Sequence, residues 1–362
     1  MSAVASHFLL HGNLLDAQRY GSGHINDTFV VNFDQAGTPV RYIFQRINHR
    51  IFKNVPQLMV NIGRVTAHVA GKVTEGDNRR ALVLVTTRTG EPVHQTPDGE
   101  YWRVYLFVEH ARTYDAVENP QQAYEAARAF GLFQQSLADL PGTRLHETIP
   151  HFHDTPKRFE ALRKAAEADV AGRKKEVLPE LKFAFEREAE TSRLLDLVRS
   201  GHIPERVTHN DTKLNNVMLD DATGEGICVI DLDTVMPGLS LYDFGDLVRF
   251  ATNTAAEDEA DLSKIDVSLP VFEAIVQGYI AGAGNILTPS EWENLVFAGK
   301  LMTFEVGIRF LTDYLQGDIY FKTKRPGHNL DRARNQLHLV ARMEVATTSL
   351  ESIVKRYLPC LK

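Results

Sequence analysis

Thr208-His-Asn-Asp-Thr-Lys-Leu-Asn-Asn-Val-Met-Leu219 is a polar loop that runs into an apolar strand. After a turn over residues 220–226, a second apolar run, Ile227-Cys-Val-Ile230, ends in Asp231-Leu-Asp233. Two short strands so arranged present their polar loops at one place. Within the first loop, His209, Asp211 and Asn216 stand in the spacing H-x-D-x-x-x-x-N. The residue types suit a definite chemistry. A carboxylate such as Asp211 accepts a proton from a hydroxyl, and the Asn216 amide and Asp231 carboxylate offer hard oxygen ligands to Mg²⁺. His209 reads as a brace for the loop.

On the N-terminal side the chain alternates β-branched and aromatic residues with turn signals. Thr28-Phe-Val-Val-Asn-Phe33, a turn over 34–39 and Arg41-Tyr-Ile-Phe-Gln45 predict a strand, hairpin and strand. Further strands are expected over 81–87 and 101–108, with a helix near 57–69 between them. Helical spacing prevails afterwards, over 120–138, 156–198, 291–315 and 330–357. The expected fold class is α+β, with a small antiparallel β-rich lobe over 1–108 and a larger helical lobe over 109–362 that carries the loop.

Composition narrows the partners. The 362 residues hold 40 Lys and Arg against 47 Asp and Glu, a net charge of −7, so nucleic acid is not an expected partner. Cys228 and Cys360 alone build neither a disulfide framework nor a cysteine zinc site. Met1–Leu15 lacks a basic leader pattern, and the least charged stretch, 267–287, contains Pro270, Glu273 and three glycines. No membrane span and a cytoplasmic location are therefore expected. The charged runs at 173–176 and 186–190 read as solvated helix faces.

Other segments bear on phosphate chemistry. Tyr20-Gly-Ser-Gly-His-Ile-Asn26 precedes a strand, and its glycines let backbone N–H groups approach phosphates, although a plain turn fits as well. There is no G-x-x-x-x-G-K-[ST] run, which excludes a P-loop, and the glycines precede a hairpin rather than a helix, which excludes a Rossmann unit. Lys213 either faces a transferred phosphoryl group or is a solvated loop lysine. In Tyr242-Asp-Phe-Gly-Asp246, at the start of a helix, the carboxylates either cap that helix or support the metal loop.

In this order of parts the chain resembles, over essentially its whole length, the two-lobed protein-kinase-like fold of the aminoglycoside phosphotransferase and choline kinase group. Longer blocks are similar to bacterial N-acetylhexosamine 1-kinases. They are Arg206-Val-Thr-His-Asn-Asp-Thr-Lys-Leu-Asn-Asn216, Ile230-Asp-Leu-Asp-Thr234, Met236-Pro-Gly238, Asp243-Phe-Gly-Asp246, His151-Phe-His-Asp-Thr-Pro156 and Arg309-Phe-Leu-Thr-Asp-Tyr-Leu-Gln-Gly-Asp318. The resemblance implies phosphorylation, with ATP and Mg²⁺, of the anomeric hydroxyl of N-acetylglucosamine or N-acetylgalactosamine.

By position it implies that Asp211 is the base at the acceptor hydroxyl, with Lys213 beside it, and that Asn216 and Asp231 hold the metal. Gly21, Ser22, Gly23, His24 and Asn26 cover the ATP phosphates, and Phe107, Val108 and Glu109 form the hinge that bonds adenine. Arg309 and Tyr320 line the sugar pocket; the plainer alternative pairs Arg309 with Asp313 and lets Tyr320 merely pack. One feature departs from the pattern. The third strand ends Ile43-Phe-Gln45 where relatives carry a lysine, and the following helix offers no glutamate to pair with it. Gln45, Arg46, His24 or Lys213 then replaces the missing charge, or the chain is a silent nucleotide-binding protein. Kinases of choline, homoserine or aminoglycosides keep the fold and change the acceptor.

Overall fold

The computed structural model describes residues 1–21, 25–73 and 78–358. Ser22, Gly23, His24 and Cys360 lie outside them. The chain forms two compact units, each of three segments: Met1–Arg112, Ser136–Pro150 and Met218–Pro237 in the first, and Thr113–Gln135, His151–Val217 and Gly238–Lys362 in the second.

The first unit is built on an antiparallel sheet of β1 (Asn13–Arg19), β2 (Asp27–Gln35), β3 (Thr38–Ile47), β4 (Leu84–Val85), β5 (His94–Gln95) and β6 (Tyr101–Leu106). Its order is β1-β2-β3-β6-β4, and β5 also pairs with β6. The β2–β3 turn needs only Ala36 and Gly37, both at positive φ (55° and 87°), the two-residue geometry whose twist matches the flanking strands. Gly37 N–H donates to Asp34 Oδ1 at 2.8 Å and closes it. Alternation does the rest: Val31 and Phe33 of β2, Tyr42 and Phe44 of β3 and Val104 of β6 meet Phe8 in one apolar core.

The strand expected over 81–87 is only Leu84–Val85. Beyond Val85 the backbone changes partner, Leu9 N–H donating to Thr86 O (2.9 Å) and Arg88 N–H to His7 O (2.8 Å), so the N-terminal segment takes the bonds a longer β4 would make. The helix Val55–Ala70 begins at Asn54, whose side chain accepts from Gln57 N–H at 3.1 Å, with Pro56 in the first turn. Its buried Asn61 donates to His146 O (2.8 Å) and Val235 O (3.1 Å) and accepts from His146 N–H (3.0 Å), tying the helix to the unit's other two segments.

The second unit is mostly helical. Helix Leu295–Gln316 is its spine, packed by His328–Tyr357, Ser240–Thr252 and Thr155–Ala168. Phe159, Leu162, Phe304, Ile308, Leu311 and Val340 lie in its largest described apolar cluster. The helical spacing over 156–198 resolves into three helices, Thr155–Ala168, Leu178–Phe185 and Arg193–Arg199. Asp169 leaves the first in the left-handed region (φ 41°), Gly172 follows at φ 67°, and Pro179 restarts the chain as a helix. The charged runs make ion pairs, Arg173 with Asp318 and Arg187 with Glu344. Among the described residues no helix is long and apolar enough to cross a membrane.

Helix Leu269–Ala283 approaches the Pro120–Leu137 helix through glycines. A Cβ built on Gly278 would stand 2.1 Å from Tyr124 O, and one on Gly282 2.5 Å from Arg128 O. Gly278→Ala adds helix propensity, worth about 1 kcal/mol in an open helix. Here the clash wins, and we expect a net loss of about 1–3 kcal/mol in urea unfolding; a variant as stable as the parent would mean that the helices separate freely.

Candidate functional site

The Thr208–Asn216 loop buries mostly polar side chains and has many backbone groups to satisfy. Helix Ser240–Thr252 supplies the acceptors. Asp243, at its N-terminal turn, accepts from His209 N–H (2.9 Å) and Asn210 N–H (2.7 Å), and its carboxylate also takes the Gln134 side-chain amide. Asp246 accepts from Thr212 N–H (2.9 Å) and pairs with Arg249 at 2.8 Å. Both aspartates therefore hold the loop; neither caps the helix with its side chain. Burial pushes the Asp243 carboxyl above its ordinary value, against the pull of His209 and the backbone donors.

His209 is fully buried with its ring edge-on to Phe130 (5.3 Å) and Phe133 (6.1 Å), and its Nδ1 accepts from Asp211 N–H at 3.3 Å. It braces the loop as expected from the sequence. Asn210 sits at φ 64°, a costly conformation for a residue with a Cβ, and is held there on several sides. Thr208 Oγ1 bonds its side chain at 2.9 Å, and Gly238 approaches so closely that a Cβ would lie 2.5 Å from Asn210 Oδ1.

The Asn210 carbonyl accepts from His153 Nε2 at 2.9 Å, while His153 Nδ1 faces Glu305 Oε1 at 2.8 Å. Thr155 Oγ1 donates to the other Glu305 oxygen at 2.6 Å. With a carbonyl at Nε2 and an ionised Glu305 at Nδ1, both ring nitrogens donate, which is the imidazolium form. Burial alone would lower its pKa, but Glu305 raises it overall; the Glu305 carboxyl, which burial would raise, is brought down by the same partner. This pair, 152 positions apart in the chain, was not read from the sequence.

At the next residue, Asp211 is half-buried and its Oδ1 lies 2.7 Å from Lys213 Nζ. Burial pushes the Asp211 carboxyl up, yet the Lys213 ammonium holds it below its ordinary value, and Asp211 and Asp246 in turn keep Lys213 charged against burial. Lys213 is thus not a freely solvated loop lysine. Asn216 closes the loop, its Nδ2 donating to the Asp211 carbonyl (2.8 Å) and carboxylate (3.2 Å).

Elsewhere in the second unit, the Arg309 guanidinium lies over Phe152 (5.2 Å) and Phe321 (5.7 Å). Arg158 stands nearby, bonded to Phe152 O (2.8 Å) and held below its ordinary pKa by burial and by Arg309. The alternative pairing of Arg309 with Asp313 does not form. Buried Asp313 instead accepts from the backbone N–H of Ile319 (2.9 Å), Tyr320 (2.8 Å) and Phe321 (2.9 Å) and from Asn329 Nδ2 (2.8 Å). It organises the loop that displays Ile319 and Tyr320, 76% and 59% exposed.

In the first unit, Asp231 is exposed, at φ 58°, and opens the 3₁₀ turn Leu232–Thr234. Asn26 donates to Asp233 Oδ2 at 2.6 Å. Gly21 follows Tyr20, whose N–H bonds Thr28 O at 3.0 Å and closes the base of the glycine loop. Phe107 and Val108 are buried; Phe107 N–H donates to Arg41 O (3.1 Å), and Glu109 pairs with Arg41. Of the residues offered to replace the strand lysine, Arg46 is bonded to Asp27 and Gln45 to Thr28 and Arg103.

The family model described as Phosphotransferase enzyme family matches residues 16–274. Among solved structures, the aminoglycoside phosphotransferase of Alicyclobacillus acidocaldarius is similar at a TM-score of 0.65 and 14% identity, over 98% of this chain and 96% of its own. A spectinomycin phosphotransferase solved with ADP and spectinomycin gives 0.61 and 12%, over 95% and 97%. The Plasmodium vivax ethanolamine kinase gives 0.53 and 13%, over 89% and 82%. At such identities the likeness is one of fold, the α+β, protein-kinase-like fold expected from the sequence.

The His153–Glu305 pair yields a prediction for stability against pH. A raised His153 contributes fully below the ordinary histidine value and loses that contribution as pH rises through its folded value. A lowered Glu305 contributes above the ordinary glutamate value and loses it as pH falls through its folded value. Between these limits His153→Ala should cost about 3–5 kcal/mol in urea unfolding, the difference from wild type shrinking at both extremes. A constant offset at every pH would mean that the pair is not ionic.

Proposed function

The chain belongs to the phosphotransferase enzyme family, and on that premise we propose that it transfers the γ-phosphoryl group of ATP to the anomeric hydroxyl of an N-acetylhexosamine, giving the sugar 1-phosphate. The observation that carries this reading is Asp211, a half-buried carboxylate kept ionised by Lys213 on a loop whose backbone is held by Asp243 and Asp246. Asp211 accepts the proton of the acceptor hydroxyl as the oxygen attacks. Lys213 keeps that carboxylate charged and places a cation beside the transferred group.

Asn216 and Asp231 are assigned to Mg²⁺; an amide oxygen and an exposed carboxylate are the hard donors that ion takes. When bound, the ion neutralises charge on the phosphates. Gly21 to Asn26 cover the phosphates, and the Phe107–Glu109 segment bonds adenine. Arg309, whose guanidinium has ring partners on Phe152 and Phe321, and exposed Tyr320 meet the amide and hydroxyls of the sugar. A soluble cytoplasmic sugar kinase is the corresponding setting.

A second reading changes the acceptor. The structural neighbours carry aminoglycoside, spectinomycin and ethanolamine in their names, all small molecules with hydroxyls. ADP release measured over N-acetylhexosamines, plain hexoses, choline, ethanolamine, homoserine and kanamycin separates the two. We expect N-acetylhexosamines to be turned over best and the phosphorus spectrum to place the group at the 1-position; activity confined to the amines and amino alcohols overturns the acceptor.

Asp211→Asn should keep nucleotide binding and lower kcat by roughly 10²-fold or more, because an amide does not accept the proton. Near-normal turnover would remove Asp211 from the role of base. Lys213→Met should raise the Asp211 pKa, moving the acid limb of the kcat/KM profile to higher pH. An unmoved limb would separate Lys213 from the ionisation of the base. Arg309→Ala should raise KM for the sugar far more than KM for ATP, and equal effects on both would take Arg309 out of the acceptor pocket.

A further inference from the structure

The helix Val55–Ala70 contains no acidic residue and β3 no lysine, so the usual charge pair of such a nucleotide lobe is absent from its expected place. One strand over, in register with Gln45, β6 carries Arg103. It is 1% exposed, and Asp233, its partner through Nη1, is 3% exposed. Arg103 Nε donates to Gln45 Oε1 at 2.9 Å, and Gln45 is itself oriented by donating to Thr28 Oγ1 at 3.1 Å.

Asp233 is the point where several segments meet. Its Oδ1 takes Arg103, its Oδ2 takes Asn26 Nδ2 at 2.6 Å, and its backbone carbonyl takes Thr148 Oγ1 at 2.8 Å. Asn26 is the last residue of the glycine-containing loop, and its Oδ1 accepts from Asn48 N–H at 3.0 Å. Asp231 lies two residues before Asp233, at the head of the same 3₁₀ turn. Burial works against charge on Arg103, but Asp233 and, further off, Asp231 raise its pKa overall. Neighbouring Tyr105, its ring 5.4 Å from the guanidinium, is pushed up by burial.

We propose that Arg103 is a positioning residue of the nucleotide lobe: by holding Asp233 it sets the turn that presents Asp231. It is a buried cation paired to a carboxylate in a lobe whose strand and helix lack the usual pair. The inference rests on the phosphotransferase reading for the role of Asp231, not on the identity of the acceptor. Arg103 acts through Asp233 rather than as a phosphate ligand: its Nε and Nη1 are taken by Gln45 and Asp233, and the side chain is 1% exposed. A guanidinium meets both partners at once, whereas an ammonium is a point donor.

The test is made without acceptor. Mn²⁺ affinity of the enzyme–ADP complex is read by electron paramagnetic resonance, and metal-free ADP affinity by calorimetry, for the wild type, Arg103→Met and Arg103→Lys. Arg103→Met should weaken Mn²⁺ binding by about 10–100-fold, as expected for a residue that orients a metal ligand, and leave metal-free ADP affinity within about twofold. Arg103→Lys should recover part of the loss. Where Arg103→Met does not fold, the pair is replaced by apolar groups in Arg103→Met/Asp233→Leu, a change that buried ion pairs often tolerate, and the same weakening is expected.

Unchanged Mn²⁺ affinity in a folded variant reduces the pair to a structural role and overturns the proposal. Loss of metal-free ADP binding overturns it too, by making Arg103 a direct phosphate ligand. Failure of the wild type to bind ADP at all is a different result, and it counts against the function rather than against Arg103.

Discussion

A carboxylate buried in the helical unit sets the conditions for everything at the loop. Asp243 accepts from two consecutive backbone N–H groups, those of His209 and Asn210. Leaving buried donors unpaired costs more than a formed bond returns, so a polar loop persists inside an apolar surrounding only where such an acceptor is provided. Asp246 repeats the device at Thr212, and the two are three residues apart, on the same side of one helix. The loop thereby inherits the rigidity of the helix.

The strain at Asn210 follows from the same arrangement. A left-handed residue with a side chain is tolerated because the N–H is taken by Asp243, the carbonyl by His153 and the side chain by Thr208. His153 is in turn held charged by Glu305. The cost of the conformation is met by packing and ionic bonds far along the chain, and the position of Asp211, the next residue, is its result.

Much of this was legible in the sequence, for reasons tied to locality. The hairpin over 28–45, the helix after Pro56, the loop with its His, Asp and Asn, and the strand leading to Asp231 all announce themselves through spacing within a dozen residues. β1 did not, because Asn13–Arg19 is a largely exposed edge strand without the alternation that a buried face imposes. The Arg103–Asp233 and His153–Glu305 pairs did not either, since partners 130 and 152 positions apart leave no pattern in a single chain. A trace was present in each case: an arginine inside the apolar run Tyr-Trp-Arg-Val-Tyr-Leu, and a glutamate in the middle of an apolar helix. Asp313 misled for the opposite reason. Its i,i+4 relation to Arg309 suggests a helix-surface pair, but the carboxylate turns to backbone donors beyond the helix end.

That grip of Asp313 has a further consequence. It binds main chain at 319, 320 and 321 and touches none of those side chains through a polar contact, so the course of the loop is independent of what residues 319 and 320 display. Shape and chemistry at this rim are uncoupled. A large set of side chains can be exchanged there against a constant backbone, whereas at Asn210 or Gly238 each exchange disturbs the frame itself. The loop is thus a part of the molecule whose surface can be rewritten without renegotiating the fold.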